Sequence, residues 1–198
     1  MFVYEKKLQY PIRIKNTNPK LAAAIISQYG GPDGELGASL RYLSQRYSMP
    51  YPELKGLLTD IGTEELGHLE MVGTIVHQLT RNLTEQQIKD AGFEAYFVDH
   101  TTGVFPQFAS GYPWSAATMQ VTGDTIADLT EDLAAEQKAR VTYDNILRLS
   151  DDPDVTDAIR FQRAREIVHF QRFGEGLRLV KDRLGEKNVY YMNPSFDQ

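Results

Sequence analysis

The sequence predicts an all-α protein built on a bundle of four long helices, and three observations favour this fold. Apolar residues recur at steps of three and four along several segments, as on the buried face of an amphipathic helix. Short segments rich in proline, glycine and aspartate separate the members of two helix pairs. One long connection, residues 82–122, joins the first pair to the second.

The first half of the chain contains an arm, a short helix and the first helix pair. Prolines keep residues 1–18 irregular, and an Ala-rich helix is predicted over residues 21–29 before a glycine-rich break. The first bundle helix covers residues 35–47. The second begins after a Pro-rich turn and has the clearest pattern, with eight residues on one inward face: Leu54, Leu58, Ile61, Glu65, His68, Val72, Ile75 and Leu79.

The second half begins with a crossover, residues 91–122, that is rich in glycine, proline and aromatic residues and follows one short helix near residues 84–91. The third bundle helix is predicted over residues 125–149, and the fourth runs from Pro153 to about Leu184. A tail, residues 186–198, ends the chain. Two helix pairs with one long crossover is the ferritin-like arrangement.

Composition favours one globular domain over residues 1–198, with 41% hydrophobic and 24% charged residues. A net charge of −6 argues against nucleic acid as a partner. No apolar run reaches the ~20 residues that span a bilayer, and the first residues lack the apolar core of a signal peptide. We therefore expect cytoplasmic synthesis and no membrane partner. The absence of cysteine excludes disulfides and thiolate ligands.

The inward-facing polar residues predict a two-metal site. Such sites in four-helix bundles take one glutamate from each of two helices and Glu-x-x-His from each of the other two. The i, i+3 spacing places carboxylate and imidazole one turn apart, within reach of one ion. This set occurs in order along the four helices: Glu35, then Glu65 and His68, then Glu136, then Glu166 and His169.

The two halves of the chain repeat this set at a constant offset. Adding 101 to positions 35, 65 and 68 gives 136, 166 and 169, and the same offset relates Tyr42 to Tyr143. Each tyrosine follows its glutamate by seven residues, on the same helix face. The pattern predicts two helical hairpins related by a pseudo-twofold axis. We expect both tyrosines to hydrogen-bond the metal-binding carboxylates.

Other charged residues near the motifs lie outside the predicted ligand set. Arg140 either pairs with a carboxylate in a helix seam, where it would support the site, or reaches solvent. Glu64 lies about 100° around the helix from Glu65 and is expected to be solvated. His77 and His100 are interpreted as a surface residue and a loop residue.

Electrostatics favour bound cations, because four carboxylates in one interior cost several kcal/mol each unless they are paired or bind metal. Two divalent ions would supply the missing positive charge. Carboxylate-rich sites with one imidazole per ion suit iron or manganese, and spacing alone does not choose between them.

Several stretches resemble the manganese (non-haem) catalase family. Four surround the metal-site motifs: Tyr29-Gly30-Gly31 with Gly34-Glu35-Leu36, Thr63 to Met71, Ala134 to Arg140, and Arg165 to His169. The opening Tyr4 to Pro11 and the turn Ser150 to Asp154 are similar to the short, spore-coat members of the CotJC type.

The resemblance implies a dimanganese site that disproportionates hydrogen peroxide to water and dioxygen. It implies Glu35, Glu65, His68, Glu136 and His169 as ligands, with Glu65 bridging and Glu166 as an outer acid/base. The symmetric two-metal template would instead make Glu166 a second bridge. The family also implies a homo-oligomer, a hexamer in many members. The resemblance to the CotJC type implies assembly into the spore coat, with other coat proteins as partners.

Two alternative functions remain open at this point. One is a di-iron oxidase or peroxidase of the ferritin–rubrerythrin kind, with two iron ions as the cofactor. The other is a mainly structural coat protein in which the site holds the bundle together and activity is vestigial.

Overall fold

The computed structural model describes residues 5–184, so the tail predicted over residues 186–198 lies outside it. The described part is all-α and ferritin-like, as predicted. Seven α-helices follow one another, with a short 3₁₀ turn at Ala116–Thr118: α1 (Pro19–Gly30), α2 (Glu35–Gln45), α3 (Pro52–Thr80), α4 (Glu85–Ala91), α5 (Glu94–His100), α6 (Thr125–Leu147) and α7 (Pro153–Leu184). No helix in this part of the chain is long and apolar enough to cross a membrane.

Local capping residues set where the helices begin. The Asp124 carboxylate accepts the backbone N–H of Ala127 at 2.8 Å and starts α6, while proline occupies the first position of α3 and of α7. A reciprocal capping box between Thr84 and Gln87 starts α4. The four bundle helices begin at or within a few residues of the positions predicted from the sequence.

Helices α2, α3, α6 and α7 form the bundle, in which α2 packs on α3 and α6 packs on α7. We call these pairs the α2/α3 hairpin and the α6/α7 hairpin. Helix α1 lies against α3. Two apolar clusters fill the interior, one around Met71, Ile75 and Ile159 and the other around Leu58 and Phe173. On α3 and α7 the polar motifs fall between these clusters, so the site is a polar layer inside an apolar bundle.

The crossover is more ordered than the sequence suggested. The expectation that residues after α4 are irregular is wrong at α5, a seven-residue helix with no buried residue and no side-chain cap. It was missed because seven residues are too few to show a helical period and no side chain caps the helix. The crossover packs tightly on the end of α1, since a Cβ added at Gly30 would lie 2.2 Å from the backbone N of Gln107. The glycine therefore allows two backbones to touch.

Candidate metal centre

The structure brings six sequence-predicted side chains together in the polar layer. They come from all four bundle helices, and each is at most 2% exposed: Glu35 from α2, Glu65 and His68 from α3, Glu136 from α6, and Glu166 and His169 from α7. Their ligand atoms form two groups, within each of which all atoms lie within 4.8 Å of one another. Glu65 and Glu166 belong to both groups. Glu35 and His68 complete the first group, and Glu136 and His169 complete the second.

Glu65 lies at the centre of this arrangement. Its Oε2 is 2.6 Å from His68 Nδ1, and its Oε1 is 2.7 Å from His169 Nδ1. Each oxygen thus faces one imidazole, and the two rings lie nearly parallel with centroids 5.7 Å apart. A carboxylate placed this way can bridge two ions, each of which also takes one histidine.

The two tyrosines link the hairpins through the same carboxylates. The hydroxyl of Tyr42, on α2, donates to Glu136 Oε1 on α6 at 2.5 Å. The hydroxyl of Tyr143, on α6, donates to Glu35 Oε1 on α2. Both tyrosines are fully buried. The exchange is reciprocal, as a pseudo-twofold axis requires, and each tyrosine serves the glutamate of the opposite hairpin rather than its own.

Burial and crowding perturb the acidity of the glutamates. Burial first, and then repulsion from neighbouring carboxylates, raises the pKa of Glu35 and Glu166 well above the usual range. Burial also raises the pKa of Glu136. Burial would likewise raise the pKa of Glu65, but attraction from His169 and His68 holds it well below its usual range.

The histidines respond in the opposite sense. Burial alone would lower the pKa of His68 and of His169, but the charge of Glu65 and contacts with the other carboxylates raise these values to about 10 and about 12. Without ions, these raised pKa values favour protonated imidazoles, which offset part of the negative charge of the cluster.

The donor set fits divalent metal ions. Glu136 Oε2 and Glu166 Oε1 are buried and make no hydrogen bond within the described residues. His169 Nδ1 and Glu65 Oε1 approach to 2.7 Å, yet neither atom has a partner in hydrogen-bond geometry. Buried oxygen and nitrogen atoms that lack hydrogen-bond partners and lie close together are expected around a cation. Oxygen-rich ligation with one imidazole per ion suits manganese or iron.

One residue that the sequence analysis dismissed belongs to this region. Glu64 was expected to be solvated, which is wrong, because its side chain is only 16% exposed and lies in the seam between α3 and α7. It accepts hydrogen bonds from Arg165 and Gln9 and lies 3.1 Å from His169 Nε2. The 101-residue offset offered a signal, since it relates position 64 to an arginine.

The remaining candidates lie elsewhere. Arg140 pairs at 2.7 Å with Asp144, one turn further along its own helix, and not with any of the four clustered glutamates. His77 is exposed, as expected. His100 ends α5 and stacks on Phe105 at 4.0 Å, so its assignment to a loop is wrong.

Comparison with known proteins agrees with this geometry. The family model described as manganese containing catalase matches residues 1–192. The chain belongs to the manganese-containing catalase family. Protein CotJC of Bacillus subtilis (strain 168) is 51% identical over 190 residues, covering 96% of this chain and 100% of that protein.

Two further relatives carry catalase in their names. A probable manganese catalase of Clostridium acetobutylicum is 36% identical and covers 95% of this chain and 84% of its own. The crystal structure of KatB, a manganese catalase from Anabaena, superposes with a TM-score of 0.85 at 31% identity, over 97% of this chain and 84% of that one. Family membership and the bundle architecture are therefore both shown.

Proposed function

We propose that this protein disproportionates hydrogen peroxide to water and dioxygen at a pair of manganese ions. The observation that carries the proposal is the convergence of two ligand groups that share Glu65 and Glu166 inside the bundle. Membership of the manganese-containing catalase family supports the choice of metal and reaction.

In this proposal Glu35 and His68 would hold one ion, Glu136 and His169 would hold the other, and Glu65 would be a ligand shared by both. When bound, the ions supply sites that polarise peroxide and exchange two electrons with it. The protein holds the five ligands at one level of the bundle. Tyr42 and Tyr143 fix two of the carboxylates by donating hydrogen bonds to them.

Glu166 is proposed as the acid/base. Oxidation of one peroxide to dioxygen releases protons, and reduction of the next to water consumes them. Glu166 Oε1 is buried without a hydrogen-bond partner, and burial raises the pKa of this carboxyl, which suits a group that takes up and releases protons. Its presence in both ligand groups also fits the alternative, in which Glu166 is a second bridge.

We further propose that the protein acts as a homo-oligomer, a hexamer by family resemblance, in the spore coat with other coat proteins. Similarity to Protein CotJC of B. subtilis, together with the opening and turn motifs typical of the CotJC type, supports this location. The same donor set would also hold two iron ions, as in an oxidase or peroxidase.

The deciding experiment measures metal content and oxygen evolution on one preparation, after expression with manganese and iron both supplied. We expect two manganese ions per chain and cyanide-resistant oxygen evolution from peroxide, both abolished by Glu65→Ala. A protein that contains iron and evolves little oxygen would favour the di-iron function. A protein loaded with manganese that evolves no oxygen would favour a structural role.

Glu166→Gln tests the acid/base assignment. If Glu166 carries protons, the variant keeps both ions while oxygen evolution falls by about 10²–10⁴-fold. Loss of metal from this variant would instead identify Glu166 as a bridging ligand. Asp60→Asn is the matched control, because Asp60 makes an exposed ion pair with Arg172 between the same two helices, away from the site.

A further inference from the structure

A single carboxylate faces the outer nitrogens of both histidines. Each imidazole directs Nδ1 towards Glu65, and its Nε2 points the other way, towards Glu64. The Glu64 oxygens lie 3.1 Å from His169 Nε2 and 3.6 Å from His68 Nε2. The first distance is a hydrogen bond, and the second needs a shortening of about 0.5 Å to become one.

Three hydrogen bonds from two residues hold Glu64 in place. Arg165 binds it in a bidentate manner, Nε to Oε1 at 2.7 Å and Nη2 to Oε2 at 3.1 Å. Gln9, from the N-terminal arm, donates to Oε1 at 2.8 Å. A carboxylate with these partners has a fixed orientation, so it can impose an orientation on the groups that donate to it.

Metal-bound imidazoles generally donate their second N–H to a carboxylate or carbonyl, which fixes the tautomer and the ring plane. We propose that Glu64 is a positioning residue shared by both histidines, holding the Nε2–H tautomer of each so that both Nδ1 atoms face the ions. This inference rests on the proposed two-metal function. It gives the two ions a common outer partner in addition to the common bridge at Glu65.

Pseudo-symmetry explains why one carboxylate is enough. The 101-residue offset relates Glu64 to Arg165, and these two residues meet each other in the seam between α3 and α7. Two glutamates at these positions would repel each other, whereas a glutamate and an arginine attract. The related positions should therefore be exchangeable, because a carboxylate on α7 at position 165 would face the same two imidazoles from the opposite helix.

A purely structural role for Glu64 is the alternative. Other ion pairs also join α3 to α7, including Asp60 with Arg172 at 3.3 Å and Glu53 with Arg183 at 2.6 Å. Both are more exposed than Glu64. If Glu64 only links the helices, removing its charge should affect unfolding as Asp60→Asn does and leave metal affinity unchanged.

The test is manganese affinity, measured by competition with a chelator on the full chain, with stability in chelator recorded alongside. The proteins are the wild type, Glu64→Gln, Glu64→Arg, the exchange variant Glu64→Arg/Arg165→Glu, and Asp60→Asn. Glutamine offers one acceptor and one donor, so it can serve only one histidine. We expect Glu64→Gln to weaken the binding of at least one manganese ion about 10–100-fold.

We expect Glu64→Arg to weaken binding further, the exchange variant to recover to within about 10-fold of the wild type, and Asp60→Asn to bind normally. Wild-type affinity in Glu64→Gln, or an exchange variant no better than Glu64→Arg, would overturn the inference while leaving the two-metal function intact. A wild type that binds no pair of ions would overturn the proposed function itself. Recovery in the exchange variant is a readout that lost folding cannot imitate.

Discussion

The hydroxyl of Tyr143 offers a quantitative test of the site. Tyr143→Phe removes one oxygen and keeps the ring, so core packing changes little. The side chain is fully buried and its hydroxyl donates to Glu35 Oε1. A hydrogen bond to a charged group contributes about 1.5–3 kcal/mol. In a chain of 198 residues, 1 kcal/mol shifts Tm by about 2–4 °C. We therefore expect the variant to melt about 3–12 °C lower when loaded with manganese.

The size of this loss should depend on the metal. A bound cation would keep Glu35 ionised, whereas without ions burial and the neighbouring Glu65 raise the pKa of Glu35, which favours its neutral form. A neutral carboxyl gains less from the tyrosine hydroxyl, and the penalty should shrink in chelator.

Scanning calorimetry with manganese and with chelator measures both values. Tyr47→Phe is the control, because Tyr47 is 79% exposed and its change should cost less than about 0.5 kcal/mol. An equal penalty for Tyr143→Phe in both states, or a shift below about 1 °C in the loaded protein, would refute the reasoning.

Three further predictions concern stability. In a urea titration, Gly30→Ala should lower the free energy of unfolding by more than about 2 kcal/mol, because the added Cβ would meet the Gln107 backbone. It should also speed proteolysis of the crossover. Gly56→Ala is the control and should be neutral or stabilising, because nothing lies within 4 Å of the added Cβ. Removing manganese should lower Tm by about 10–20 °C in calorimetry, because each ion at 100-fold over its Kd contributes about 2.7 kcal/mol; an unchanged Tm after confirmed loss of both ions would contradict this. Asp144→Asn should lower the free energy of unfolding by about 1 kcal/mol or less at pH 7. The hydrogen bond from Arg163 lowers the pKa of Asp144, so this stabilisation is present above pH ~4 and is lost as pH falls further. A cost of the substitution that persists at pH 2 would point to packing instead.

The bundle and the candidate ligands could be predicted because they depend on periodicity. The steps of three and four on α3 place Glu65 and His68 on its inward face, and both are fully buried. The turns between the paired helices lie midway between Glu35 and Glu65 and between Glu136 and Glu166, which brings each pair to one height. These inferences need only the geometry of a regular helix and a short turn.

Features that depend on a neighbouring element could not be predicted in the same way. Helical geometry places Glu64 about 100° from Glu65, but whether that direction meets water or α7 depends on how the hairpins pack. The same limit applies to the tyrosines, whose spacing indicated the right carboxylates as a set without showing that Tyr42 reaches Glu136 on the other hairpin. Helix α5 is only seven residues long and has no side-chain cap, so its sequence gives no clear helical signal.

The sharing of each ligand group between the two hairpins has a consequence for how the chain could be divided. One group draws on α2, α3 and α7, and the other on α3, α6 and α7. Under the proposed assignment, Glu136 and His169 on the α6/α7 hairpin would hold one ion together with Glu65 from the α2/α3 hairpin, so the metal pair would connect the two hairpins. If the chain is cut at the exposed Gly111 of the crossover, each of the two fragments carries one hairpin. These fragments should associate in trans when manganese is present.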